Sequence, residues 1–93
     1  MANTRFDKLA EIGCIVCRLQ DGVKVEANIH HLTGIKFRAM GKKAKDDHTI
    51  PLCHAHHQGK FGIHTIGMRP WEAVYGKQEY LLGIVNELIG EPE

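Results

Sequence analysis

Long apolar runs are missing from this 93-residue chain; nothing in it approaches the roughly 18 residues of a membrane-spanning helix. The opening stretch, MANTRFDKLAE, lacks the apolar core of a secretory signal. These absences predict a cytoplasmic protein with no membrane partner. Cysteine is scarce and odd in number, at three, which excludes a fully paired disulfide framework. In a reducing compartment, cysteines at short spacing point to metal ligation instead. Internal repeats and low-complexity segments are also lacking, and with 43% apolar and 25% charged residues the composition is that of an ordinary globular domain. A chain this short buries only about 60–70% of its surface on folding, so a metal staple would strengthen a modest core.

A net charge of +1 hides an uneven distribution. Residues 1–69 carry eleven Lys and Arg against six Asp and Glu, whereas residues 70–93 carry one Lys against five Glu. The first part could face a polyanion and the last part could not. Five basic residues, Lys36, Arg38, Lys42, Lys43 and Lys45, fall within ten positions. Such a run is either a solvated loop or a set of phosphate contacts.

Local patterns predict an α+β chain of one domain, 1–93. Thr4 followed by Asp7 resembles a capping box, and a short helix over 5–12 should end near Gly13. From Val23 to Ile29 apolar and polar residues alternate, which predicts a half-buried strand running into His30 and His31. Residues 33–47 show no sustained period and read as a loop. Thr49 to Leu52 form a second short strand, Pro51 marking an edge or an end, and one or two turns of helix follow over 54–60. After a link punctuated by Gly59, Gly62 and Gly67, Pro70 suits the first position of a helix ending near Gly76. A final helix covers 78–89, where Tyr80, Leu81, Ile84, Val85, Leu88 and Ile89 form an apolar stripe.

The stretch HTIPLCHAHH, residues 48–57, concentrates four histidines and one cysteine. Cys14 and Cys17 form a C-x2-C pair, and Cys53 with His56 forms a C-x2-H pair. Together they supply the four donors that a closed tetrahedral zinc site takes; free thiols without metal are the alternative. His57 follows His56 directly, and neighbouring helical residues point about 100° apart, so His57 needs a different partner. The His30-His31 pair at the end of the first strand offers one, because adjacent strand residues face opposite ways.

Here the sequence resembles the HNH endonucleases of the ββα-metal fold. In these a metal ligand and a general-base histidine end the first strand, an Asn or His opens the second, and a histidine ligand lies nine positions on. Many members interleave a zinc knuckle. His30-His31, His48, His57 and the four zinc positions match that pattern over residues 14–57. Residues 48–83 are further similar to the phage recombination-enhancement nucleases, whose activity depends on the host RecA filament.

The resemblance implies a zinc-stapled, treble-clef-like ββα-metal domain: an N-terminal helix in 1–13, knuckle and core in 14–64, and C-terminal helices in 70–90. It further implies a phage-encoded DNA endonuclease working in the host cytoplasm and linked to recombination. Cys14, Cys17, Cys53 and His56 would hold structural zinc. His30 and His57 would hold a catalytic Mg²⁺, Mn²⁺, Ni²⁺ or Zn²⁺. His31 would be the general base and His48, opposite it, the residue that orients it. Lys36, Arg38, Lys42, Lys43, Lys45 and Lys60 would meet DNA. His56 stands where a fourth cysteine is usual, and His48 where Asn is commoner. Phe61 stands one turn after His57, where some relatives have another ligand; His64 is its substitute from the link, an exposed loop histidine being the alternative. His54 has no role and should face solvent. A non-catalytic zinc module that binds nucleic acid would explain the cysteines and the charge, but not His30, His31, His48 and His57.

Overall fold

A computed structural model describes residues 4–33 and 47–90 of the chain. It is α+β, with helices packed around a two-stranded sheet in the order α1 (Arg5–Ile12), α2 (Ile15–Asp21), β1 (Asn28–His31), β2 (Thr49–Leu52), α3 (His54–His57), α4 (Ile63–Ile66), α5 (Met68–Tyr75), α6 (Gln78–Ile89). The basic residues Lys36, Arg38, Lys42, Lys43 and Lys45 lie outside the described residues.

Local chemistry explains the start. The Thr4 hydroxyl accepts from the Asp7 N–H at 3.2 Å while the Asp7 carboxylate accepts from the Thr4 N–H at 3.3 Å, closing the capping box that begins α1. Gly13 ends the helix at φ +71°, and a Cβ there would come within 2.7 Å of the Val25 carbonyl oxygen. Glycine thus lets the chain pass close enough for the Cys14 N–H to donate to that carbonyl at 2.9 Å. Cys14 then opens α2, its Sγ accepting from the Cys17 N–H at 3.5 Å. The sequence pattern did not disclose α2, whose buried residues Ile15, Val16 and Cys17 are consecutive and show no helical period.

The strands are antiparallel, pairing Asn28 with Leu52, Ile29 with Pro51, His30 with Ile50 and His31 with Thr49. The predicted first strand is therefore shortened. Beyond Leu52 the partner turns into α3, so residues 23–27 have no ladder to join, and Val23 is 48% exposed. The register also corrects the position of His48. Thr49, not His48, stands opposite His31, and the His48 carbonyl accepts from the Leu32 N–H one step beyond the ladder. The glycine-punctuated link contains the short α4, and Pro70 is the third residue of α5 rather than the first.

Leu9, Leu32, Ile50, Leu52, Trp71, Leu81 and Val85 are fully buried at the centre. The buried face of α6 departs from the apolar stripe: Tyr80 and Leu88 are exposed, while Gln78 and Asn86 are buried. Both polar residues have partners. Arg5 donates to Asn86 Oδ1 at 2.8 Å, to Thr49 Oγ1 at 2.9 Å and to the Thr49 carbonyl at 2.7 Å. One guanidinium thus ties α1, β2 and α6 together. Among the described residues, no helix is long and apolar enough to cross a membrane.

Replacing Arg5 by Leu strips donors from buried acceptors and should cost about 2–3 kcal/mol of stability. Arg5→Lys should recover only part of that, because an ammonium cannot present the same fork. Denaturant unfolding of both variants checks this; a loss below about 0.5 kcal/mol in Arg5→Leu would refute it.

Candidate metal centres

The N-cap and first turn of α2 and the N-cap and single turn of α3 bring Cys14, Cys17, Cys53 and His56 together. Cys17 Sγ lies 3.8 Å from Cys53 Sγ, and His56 Nδ1 lies 3.1 Å from Cys53 Sγ, 3.7 Å from Cys17 Sγ and 3.8 Å from Cys14 Sγ. A disulfide needs about 2.05 Å, so these sulfurs are unbonded. Tetrahedral bonds of about 2.3 Å to sulfur and about 2.0–2.1 Å to nitrogen put sulfur pairs about 3.8 Å apart and sulfur–nitrogen pairs about 3.6 Å apart. Three of the four separations match those edges. The group could therefore bind a structural metal such as zinc.

Electrostatics supports that reading. Burial, reinforced by the charge of Cys14, pushes the Cys17 thiol up to about 12, and burial raises Cys14 as well. Without a cation both sulfurs stay protonated at neutral pH, and a divalent ion would favour the thiolates. Burial also lowers His56, against the attraction of Asp21, leaving its ring neutral and able to donate a lone pair. From α5, Trp71 Nε1 donates to the His56 carbonyl at 3.0 Å and Tyr75 packs edge-on to the His56 ring at 4.9 Å. The first contact holds the backbone of His56 and the second packs against its ring.

A second group faces the other side of α3. His30 from β1, His57 from α3 and His64 from α4 each bring a nitrogen within 4.8 Å of the others. His57 Nε2 and His64 Nε2 are 3.1 Å apart. Bonds of about 2.0–2.1 Å to a shared ion at tetrahedral or octahedral angles would put two nitrogens about 2.9–3.4 Å apart. Burial first, then the charges of His64 and His54, lowers His57 below the usual imidazole range, so it too is neutral at pH 7. Its Nδ1 is buried with no hydrogen-bond partner among the described residues. Gly62 makes the approach of α4 possible: a Cβ there would lie 2.5 Å from the His57 carbonyl.

Of the three histidines, His30 and His57 are buried and His64 is exposed. His31 and His48 are half-buried at the strand ends, and His54 and Lys60 are exposed. Phe61 is exposed as well, with the Lys60 ammonium 5.7 Å from its ring centroid. Gln78 escaped the sequence reading, although its Oε1 lies 2.9 Å from His30 Nε2. The available signal was its place on the same helical face as Leu81, Leu82 and Val85, where a polar residue needs a buried partner.

Fold and side chains together define a small α+β protein with two donor clusters on one turn of helix, each able to hold a metal ion. The family model described as "Recombination enhancement, RecA-dependent nuclease" matches residues 2–89, and the chain belongs to that family. The family name indicates nuclease activity in recombination enhancement. No curated protein matches the sequence.

The two clusters should separate by mutation. Cys17→Ser should lose about one zinc per chain and much of the folded structure, since a structural zinc contributes about 10–16 kcal/mol of apparent folding free energy in small domains. His57→Ala should keep that zinc and the fold. Metal analysis with circular dichroism checks both; equal zinc loss from the two variants would merge the clusters into one site.

Proposed function

We propose that this protein is a metal-dependent HNH endonuclease of the ββα-metal fold that hydrolyses DNA phosphodiester bonds. What supports this most is the grouping of His30, His57 and His64, with His31 next in sequence to the most buried of the three. His30 in β1 and His57 at the end of α3, joined by His64 from α4, support such a domain, which on this reading fills the single unit 1–93. Family membership supports the nuclease class and implies dependence on RecA.

In this reading Cys14, Cys17, Cys53 and His56 hold structural zinc, while His30, His57 and His64 hold the catalytic divalent cation. When bound, that cation supplies positive charge to the phosphorus-centred transition state and to the departing oxygen. His31 leaves β1 on the face opposite His30 and takes the proton from the attacking water. His48 adjoins Thr49, the cross-strand neighbour of His31, and orients the base from that diagonal position. Imidazole donors favour Mn²⁺, Ni²⁺ and Zn²⁺ over Mg²⁺ in affinity. Lys60 and the basic run Lys36, Arg38, Lys42, Lys43 and Lys45 neutralise phosphates along the strand.

His31→Ala should leave folding, zinc content and DNA affinity near wild type while slowing cleavage by about 10²–10⁴-fold. Higher pH should partly restore that variant. His30→Ala should respond instead to added Mn²⁺ or Ni²⁺. Single-turnover cleavage of plasmid and single-stranded DNA, with and without RecA filament, measures the rates, while circular dichroism, metal analysis and a DNA-binding titration check the fold, zinc and affinity. Wild-type rates from His31→Ala at neutral pH and saturating metal would sink the assignment and favour a zinc-stabilised binding module.

Charge in the basic run is tested by changing Lys42, Lys43 and Lys45 together to Ala. The slope of log affinity against log salt should become shallower by about 0.9 per lost contact on duplex DNA, or about 0.7 on a single strand. An unchanged slope would return these residues to a solvated surface.

A further inference from the structure

Gln78 is the first residue of α6, is 1% exposed, and has every polar group of its side chain engaged. Lys77, at the N-cap, offers no side-chain bond to the helix start. The Glu72 carboxylate does so instead, accepting from the Gln78 N–H at 2.8 Å. Backbone and side chain are thus both fixed, with the amide wedged between β1 and the segment that follows it.

The orientation of that amide is not ambiguous. The Thr33 N–H lies 3.0 Å from Gln78 Oε1, and Gln78 Nε2 lies 3.1 Å from the Thr33 carbonyl. A backbone N–H only donates and a backbone carbonyl only accepts, so the amide oxygen and nitrogen cannot be exchanged. The oxygen therefore faces His30 Nε2 at 2.9 Å. An oxygen acceptor at that distance requires the proton on Nε2. A neutral imidazole has one N–H, so the lone pair resides on Nδ1.

We propose that Gln78 is a positioning residue that holds His30 as the Nε2–H tautomer and thereby makes Nδ1 the atom through which His30 binds a divalent cation. The proposal rests on reading His30, His57 and His64 as a metal site, and not on any nuclease chemistry. The same amide anchors Thr33, so the ligand and the chain leaving β1 are held by one side chain. Hydrogen bonds to the outer nitrogen of a metal-binding histidine orient its ring, and losing one typically costs about 10–100-fold in metal affinity.

The test uses the full chain loaded with one zinc, comparing wild type, Gln78→Leu and Gln78→Glu. Imidazole ¹⁵N spectra of wild type should show His30 protonated at Nε2. Added Zn²⁺ should shift its Nδ1 resonance while Nε2 keeps its proton. Calorimetric titration of the second ion should weaken about 10–100-fold in Gln78→Leu, with the first zinc and the circular dichroism spectrum unchanged. Gln78→Glu keeps an acceptor facing Nε2 and should retain the tautomer, with an affinity between those of wild type and Gln78→Leu because its second oxygen meets the Thr33 carbonyl that Gln78 Nε2 serves. Wild-type His30 protonated at Nδ1, or a folded Gln78→Leu that binds the second ion as wild type does, would overturn the proposal. If Gln78→Leu does not fold, the wild-type tautomer still decides. A wild type that takes no second ion would sink the metal-site reading and the proposal with it. Absence of DNA cleavage alone would count against the nuclease reading and leave this one standing.

Discussion

One turn of helix, His54–His57, constrains both donor clusters. Cys53 caps it, His56 leaves it toward the sulfurs, and His57 leaves it about 100° away toward His30 and His64. Neighbouring side chains on a helix cannot converge on one ion, so the HH dipeptide divides its donors between two centres. The surroundings hold that turn in place. Trp71 bonds the His56 carbonyl, Gly62 passes beneath His57, and β2 delivers the chain to Cys53 at the end of its ladder. A cation among the cysteines would therefore also set the rotation of His57, and such a staple would contribute to the geometry of the imidazole cluster as well as to stability.

Legibility in the sequence followed how local each feature is. The Thr4–Asp7 cap, the glycine after α1 and the strand–strand–helix order were readable because their causes lie within a few residues. The donor clusters were readable because sulfur and imidazole at two-residue spacing have few other uses, and both groups assemble from residues singled out for their chemistry. The first strand was overestimated because alternation reports which face is buried and does not report how long the partner is. Helix α2 was missed since its buried residues, Ile15, Val16 and Cys17, are consecutive and show no helical period. Gln78 was hidden by distance: its partners at positions 30 and 33 lie more than 40 residues away, and no local pattern encodes them. Arg5 was hidden for the same reason.

Polar residues in the interior do different work at the two ends of α6. Asn86 receives Arg5 and closes the domain by fastening its first helix to its last. Gln78 receives His30 and Thr33 and fastens the last helix to the end of β1. Between them Leu81, Leu82 and Val85 supply the apolar burial. The helix thus serves as a spacer of fixed length between a structural clamp and the imidazole cluster, and the rigid register of its turns carries the position of one to the other.

The adjacency of His56 and His57 also bears on which genetic changes the fold can absorb. A substitution elsewhere in α3 changes one side chain and leaves the others aimed as before. Inserting or deleting a single codon between Cys53 and His57 instead rotates everything downstream by about 100°, carrying His57 out of its cluster or His56 out of its own. No compensating replacement at one position restores both. Over evolutionary time this stretch should tolerate changes of letter and resist changes of length, so that its five-residue frame outlasts the identity of Ala55 within it.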